Sequence, residues 1–395
     1  MRGASVPAMR ITFVSNIFPP TVGGPATHIY NLALTLHNRG HSVRAVVCPD
    51  DPEGLVRPPF PIVRVSWNTP VPLRYALVWW HTLRAALQSD VVYINGIEAP
   101  STLAALLTGR PRVLKIVGDW AWESAHRRGM TSLGIEEFQR TRHGPLIRAF
   151  QFIQRMYTAL ATVVVVPSGY VGAFVRGWGA KANKIRVVHN ALTEIPEIDV
   201  SREEAKRQLG FEGPLVCTVS RLYGWKRVDD LLRMVPDFAN DAVLAIVGDG
   251  PEQPALERFA AKLGLGDRVR FVGRVPHRDV GMYLRAADVF VLNTAYEGLS
   301  HTLVEARVVG TPIVTTDIGG NREILTNEQN ALLTPLGDHC AFANAVNRLL
   351  TDRQLAERLA RAGSEGLDHF AWDRLVDETM EILSEVTGSA PRAAS

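Results

Sequence analysis

The sequence predicts an α/β protein made of two Rossmann-like, doubly wound domains facing a cleft. Three observations carry this. Short apolar, β-branched runs alternate with segments whose apolar residues recur at helical spacing, the rhythm of parallel sheets covered on both faces. The alternation breaks at Thr193–Ser201 and begins afresh at Leu215. The 395 residues, 46% of them hydrophobic, suffice for two cores.

Arg10–Ser15 opens the series as a buried strand. The loop Asn16–Pro25 follows, with Pro19-Pro20 and Gly23-Gly24, and then a helix face of Ile29, Leu32, Ala33 and Leu36 that Gly40 ends. Strands are expected at Val43–Val47, Ile62–Val65, Val91–Asn95, Val113–Val117 and Thr162–Val166. Thr193–Ser201 is aperiodic, contains a proline and reads as a linker. The second series runs strand Leu215–Val219, helix near Val228–Phe238, strand Val243–Val247, helix near Gln253–Leu263 and strand Val269–Val272. It closes with helix His277–Ala286, strand Val289–Leu292, a helix from about Thr302, strand Pro312–Thr315 and helix Asp338–Leu350. The expected domains are 9–195 and 196–371.

Composition excludes several classes. No apolar run approaches the ~18 residues of a membrane-spanning helix, and the first eight residues lack the apolar core of a secretory signal. Cys48, Cys217 and Cys340 are far apart, which argues against a disulfide framework and fits a reducing cytoplasm. There is no H-E-x-x-H, C-x-x-C or D-x-D motif, so no required metal is expected. Residues 1–195 hold 21 basic and 10 acidic residues, a net +11; the remainder holds 22 and 30, a net −8. The first half is therefore expected to meet something anionic, unless the asymmetry is drift in surface composition.

In open α/β sheets, ligands bind beyond the carboxyl ends of the strands. Ser220–Lys226 follows the strand Leu215–Val219, and its Arg221 and Lys226 suit a pyrophosphate, as fork donor and point charge. Tyr296–Glu305 follows Val289–Leu292 and carries Glu297 in a loop, Ser300 as a helix cap and Glu305 inside the helix. The free N–H groups at that helix start suit an anion, and the two carboxylates suit sugar hydroxyls. Gly319-Gly320, after Pro312–Thr315, and Gly23-Gly24, before the first helix, permit close backbone approach to a ligand or form simple turns.

The order SRLYGWK, VGDG, FVGRVP, AADVFVLNTAYEGLSHTLVEA and GTPIVTTDIGGNREIL resembles the retaining glycosyltransferases of the GT-B fold, family 4, whose signature is the glutamate-x7-glutamate element. PPTVGG, VVPSGYV and KIRVVHNAL stand in family order in the first half, so the resemblance covers about residues 9–385. It implies that Arg221 and Lys226 bind the donor diphosphate, that Glu297 contacts the donor sugar and that Glu305 contacts the ribose. Gly248, Asp249 and Gly250, with Arg274 and Val275, would border the nucleoside. Leu299, Ser300 and His301 would offer backbone contacts, and Gly23 and Gly24 would approach the phosphate from the acceptor domain. Phe370–Leu383 looks like the family's last helices, with helix 372–388 returning to the first domain. The chain departs from the family at Leu299-Ser300, where many relatives have Phe-Gly. It departs again at Lys115–Glu123, where relatives often carry a histidine and this chain offers Asp119 as the nearest polar residue, either orienting the sugar or capping the loop.

Trp79-Trp80 reads as packing beside Leu77 and Leu83, whereas Trp120 and Trp122 flank Asp119 as candidate acceptor platforms. Arg140–Thr158 alternates arginines with apolar residues at helical spacing, either a basic helix for an anionic membrane surface or an ordinary wet face. The resulting expectation is a cytoplasmic retaining glycosyltransferase, at the inner membrane face if its acceptor is lipid-linked. Its partners are a nucleotide-diphosphate sugar and a saccharide or lipid-linked acceptor, with no nucleic acid and no cofactor. The rivals are a sugar-nucleotide epimerase of similar build and a non-catalytic nucleotide-sugar binder. A nicotinamide-dependent dehydrogenase is weaker still, because no G-x-G-x-x-G follows the first strand.

Overall fold

The computed structural model describes residues 8–16, 18–19, 24–49, 57–192 and 198–388. It divides into two compact units, Met1–Thr193 with Ala371–Ser395, and Glu194–Phe370. The first runs β1 (Arg10–Ser15), α1 (Gly24–Asn38), β2 (Ser42–Val47), β3 (Ile62–Arg64), α2 (Val71–Leu87), β4 (Val91–Asn95) and α3 (Glu98–Leu107). It continues with β5 (Arg112–Lys115), α4 (Trp120–Arg127), α5 (Ile135–Arg140), α6 (Pro145–Leu160), β6 (Val163–Val166), α7 (Gly169–Gly177) and β7 (Ile185–Val187). The second holds α8 (Arg202–Leu209), β8 (Leu215–Val219), α9 (Val228–Met234), β9 (Val243–Val247), α10 (Gln253–Lys262), β10 (Val269–Gly273) and α11 (His277–Ala286). It ends with β11 (Val289–Leu292), α12 (His301–Val309), β12 (Ile313–Thr316), α13 (Asn321–Ile324), β13 (Leu332–Thr334), α14 (His339–Thr351) and α15 (Arg353–Gly363). The last helix, α16 (Trp372–Thr387), belongs to the first unit.

Both sheets are parallel throughout, in the orders β3-β2-β1-β4-β5-β6-β7 and β10-β9-β8-β11-β12-β13. The strands are apolar on both faces because helices cover both. In the first unit, Ile11, Phe13 and Tyr93 pack towards α1 and α16, while Val14, Ile94 and Leu114 pack towards α2, α3, α6 and α7. α16 is held on α1 by Trp372 Nε1 donating to Thr35 Oγ1 at 3.2 Å and on the turn just after α1 by Arg39 to Asp377 at 2.5 Å, and it sinks Leu375, Val376 and Leu383 into the core. In each order the strand sequence reverses at one point, between β1 and β4 and between β8 and β11. These reversals leave crevices at the carboxyl ends of the strands.

Several elements differ from expectation. The edge strands β7 and β13 have three residues each and lack the length that periodicity needs, and α15 follows α14 after a break at Asp352. The helix expected over Val228–Phe238 stops at Met234, before Pro236, which has no N–H to continue the ladder. The basic segment Arg140–Thr158 is two helices, α5 and α6, with Pro145 in the first turn of the second. Arg140 and Arg142 therefore lie outside α6, and Arg148 and Arg155 are on its exposed side. Trp80 is 47% exposed rather than packed. Among the described residues no helix is long and apolar enough to cross a membrane.

Candidate active site

The crevice of the second unit is built by the turns after β8 and β11. After β8, Ser220–Tyr223 leads into a short 3-10 turn, Gly224–Lys226, and then into α9. After β11, Asn293–Leu299 leads to Ser300, whose Oγ accepts from Leu303 N–H at 3.3 Å and caps α12, as expected. The two turns are laced together. Trp225 carbonyl accepts from Ala295 N–H at 2.7 Å and from Thr294 Oγ1 at 3.2 Å. Above this lacing Lys226 Nζ meets Glu297 Oε1 in an ion pair, with side-chain exposures of only 15% and 12%.

The turn after β9 completes the cluster. Asp249 Oδ1 takes Arg221 Nη1 at 2.5 Å, and Asp249 carbonyl accepts from Leu222 N–H at 2.8 Å. Gly248 has φ +123°, and a Cβ there would lie 2.0 Å from the Ser220 carbonyl oxygen, so only glycine lets this turn lie against the Arg221 loop. Gly250 packs equally tightly on Leu222. Beyond β12, a Cβ on Gly320 would come within 2.2 Å of the Gly298 carbonyl oxygen, and Gly320 N–H donates to Glu297 carbonyl at 3.2 Å. The close approach that the structure shows at Gly320 is to the protein's own Glu297 turn.

Glu305 lies within α12, 4% exposed, and its Oε1 is 2.8 Å from His277 Nε2. His277 opens α11, so this bond ties α12 to the loop of exposed Arg274 and half-buried Val275. Leu299 is buried and His301 is the first residue of α12. Arg221, Lys226, Asp249, Glu297, Ser300 and Glu305 therefore all belong to loops or a helix at the carboxyl ends of one sheet.

In the first unit, Asp119 is 1% exposed and caps α4. Its Oδ1 accepts from Trp122 N–H at 2.9 Å and its Oδ2 from Gln139 Nε2 at 2.6 Å; burial raises its pKa against these bonds. With each oxygen taking a bond inside the fold, Asp119 caps the loop, the second of the two readings its position offered. Trp122 is likewise core, its Nε1 donating to Leu133 carbonyl at 2.9 Å, so it is no platform for a ligand. Trp120, half-buried, stands edge-on to Phe150. Gly23 lies outside the described residues, and Gly24 begins α1.

The sequence reading missed several residues. Glu98 opens α3 after Ile97, which takes φ +49°, a strained conformation for a β-branched side chain. Burial raises the Glu98 carboxyl and pushes Glu123 up to about 7, Asp119 and Glu98 adding to the latter. Lys115, at the end of β5, is 2% exposed and donates to Val188 carbonyl at 3.2 Å. Burial lowers its ammonium to about 7, against the charge of Glu378 on α16. None of these stands in a recognisable spacing; only the fold brings them near strand ends. No group of three His, Cys, Asp or Glu side chains suited to a metal occurs among the described residues.

A family model described as glycosyl transferases group 1 matches residues 201–366, the unit that holds this crevice, and one described as Glycosyltransferase Family 4 matches residues 22–193. The chain is a group 1 glycosyltransferase. The transferase is 28% identical over 377 residues to the lipopolysaccharide core biosynthesis glycosyltransferase LpsD of Rhizobium meliloti, covering 94% of this chain and 97% of that one. It is 26% identical over 402 residues to the phosphatidyl-myo-inositol mannosyltransferase of Mycobacterium leprae, covering 98% and 100%. Among solved structures it is similar to HepE of Anabaena in complex with UDP-glucose, with a TM-score of 0.77 at 20% identity over 95% of this chain and 100% of the other. That likeness carries the fold, and the transferase has the two-unit GT-B architecture.

Proposed function

We propose that this transferase moves a sugar from a nucleotide-diphosphate donor to an acceptor hydroxyl with retention of anomeric configuration. The observation that carries the reading is that the Arg221–Asp249 and Lys226–Glu297 pairs and the Ser300-capped start of α12 all stand on turns at the carboxyl ends of the second sheet, about its strand reversal. Arg221 and Lys226 would hold the diphosphate and stabilise its charge as it leaves, an effect worth ~3–4 kcal/mol per well-placed donor. The free N–H groups of α12 add to that field. Glu297 would accept from a sugar hydroxyl, and Glu305 from the ribose through the oxygen His277 leaves open. The incoming hydroxyl attacks from the face the diphosphate leaves, and a phosphate oxygen takes its proton. The two cations and the helix end make a divalent metal unnecessary. An epimerase would need acid and base groups at the sugar carbons and would turn over without an acceptor.

HepE was solved with UDP and with UDP-glucose, which makes uridine diphosphate the first donor nucleotide to try. For the acceptor we favour an anionic, lipid-linked one at the cytoplasmic membrane face. The first half carries the basic excess. α2, α3 and α6 lie on one layer and expose Leu73, Trp80, Leu107 and Phe152 beside Arg84, Arg148 and Arg155. The two relatives above are named for lipopolysaccharide core and phosphatidyl-myo-inositol.

The test is thermal unfolding with UDP, GDP and ADP and their glucose and mannose conjugates. A true donor nucleotide at 100 times its dissociation constant stabilises the fold by about 2.7 kcal/mol. If no nucleotide raises the transition, the donor-site reading is wrong.

A further inference from the structure

The residue after Lys226 has an uncommon backbone. Arg227 takes φ +50° and ψ +38° at the start of α9, the left-handed region that glycine enters freely and in which other side chains crowd their own backbone. A glycine would make this turn with less strain, so what the arginine side chain binds must offset the difference. It binds Asp230. Arg227 Nε donates to Asp230 Oδ2 at 2.8 Å, and Nη2 lies 2.7 Å from the same oxygen. Asp230 is 3% exposed, and its Oδ1 lies 3.1 Å from Nε2 of His339, the first residue of α14. A carboxylate this deep has both oxygens matched to cationic or donor groups, and it fixes the guanidinium in direction as well as in charge.

The residue on each side of Lys226 is fixed too. Arg227 carbonyl accepts from Asn293 Nδ2 at 3.1 Å, and Trp225 carbonyl accepts from Ala295 N–H at 2.7 Å. Lys226 therefore sits between two residues pinned to the turn that carries Glu297, and Arg227 is pinned a second time, by its side chain, to α9 and α14.

We propose that Asp230, acting through Arg227 and backed by His339, is a positioning residue for Lys226. This rests on the reading of Lys226 as a diphosphate ligand. A point charge on a flexible stem contributes fully only if its backbone is held in place, and a displacement of about 1 Å can cost on the order of 100-fold in rate. Asp230 and Arg227 supply that hold from outside the crevice, without touching the donor themselves.

The experiment titrates inorganic pyrophosphate, a probe independent of the nucleotide base, into the full chain and its Lys226→Ala, Arg227→Gly, Arg227→Lys and Asp230→Asn variants. Melting temperatures are measured in parallel. Arg227→Gly relieves the left-handed strain but unpairs one side of the buried Asp230 carboxylate, opposing effects that keep the change in melting temperature small, while pyrophosphate binds about tenfold more weakly, roughly 1.4 kcal/mol. Arg227→Lys recovers part of that loss, and Asp230→Asn, if it folds, weakens binding in the same direction. Arg227→Gly binding as tightly as the wild type, or losing affinity only in step with its melting temperature, overturns the inference. Lys226→Ala keeps the two readings apart: unchanged pyrophosphate affinity in that variant removes the diphosphate role itself, whereas loss there with wild-type binding in Arg227→Gly removes only the positioning role.

Discussion

Lys226 and Glu297 form an ion pair across the strand reversal of the second sheet, one from the turn after β8 and the other from the turn after β11. Each neutralises the other in a largely buried position. A similar pairing covers Arg221 with Asp249. On the proposed reading, a diphosphate that takes Lys226 would also free the Glu297 carboxylate for the donor sugar. Nucleotide binding and sugar grip would then be coupled through one salt bridge.

The two glutamates of the signature should consequently separate in titrations. Glu297→Ala removes the competitor for Lys226, so nucleoside-diphosphate affinity holds or tightens, while turnover falls on the order of 100-fold because the sugar loses its acceptor group. Without ligand the same variant leaves Lys226 unpaired and melts lower. Glu305→Ala weakens the nucleotide itself and releases His277. Isothermal titration of both variants checks this, and identical nucleotide affinities would refute the division of roles.

Removing metal should change little. Arg221 and Lys226, once the diphosphate displaces Asp249 and Glu297 from them, would supply the positive field with the start of α12, so nucleoside-diphosphate affinity measured in EDTA stays within tenfold of that in magnesium, about 1.4 kcal/mol. A larger loss assigns the diphosphate to a cation that the protein holds in some other way.

Lys115 predicts a pH dependence of stability. Its folded pKa is lowered from 10.5 to about 7 by burial. Between those values the unfolded chain holds a proton that the folded one has shed, so stability rises with pH across that window, at up to about 1.4 kcal/mol per unit. Below pH 7 both states are charged, and the cost of burying the ammonium is constant. Lys115→Met removes this slope, although it leaves Val188 carbonyl without its donor at every pH. Urea unfolding at pH 7 and pH 9 should show the wild type gaining a few kcal/mol more than the variant. Parallel curves for the two proteins would mean that Lys115 keeps its ordinary pKa.

The fold was legible because its longer strands are apolar runs of four to six residues with clear helical partners, as at Arg10–Ser15 and Leu215–Val219. The loops of the second unit were legible for the same reason, since a strand end locates its crevice. What the sequence hid was partnership. Nothing in the spacing of Asp230 and His339, or of His277 and Glu305, says that they meet, because each pair is brought together by packing between separate helices. Asp119 could orient a sugar or cap its loop by sequence alone, and only the positions of Gln139 and Trp122 show the cap. Gly320 was read for its freedom, but its neighbour is Gly298.

The last prediction concerns the outer layer of the first unit. α6 exposes Arg148 and Arg155 together with Phe152, which is 70% exposed, and α2 adds Trp80 with Arg84 near its ring. An aromatic side chain beside an arginine suits the boundary between headgroups and acyl chains, where the ring enters and the charge stays wet. Each arginine near an anionic surface contributes about 1 kcal/mol, and that contribution is screened by salt, whereas the contribution of the buried rings is not. Sedimentation with phosphatidylglycerol-containing vesicles at low salt should therefore pellet the wild type. Arg148→Ala with Arg155→Ala should reduce binding by roughly tenfold to thirtyfold at low salt, as two such charges imply. Trp80→Ser with Phe152→Ser should weaken binding at low and high salt alike. Equal recovery of all three proteins in the supernatant under every condition would leave a soluble acceptor as the reading for the basic half of the chain.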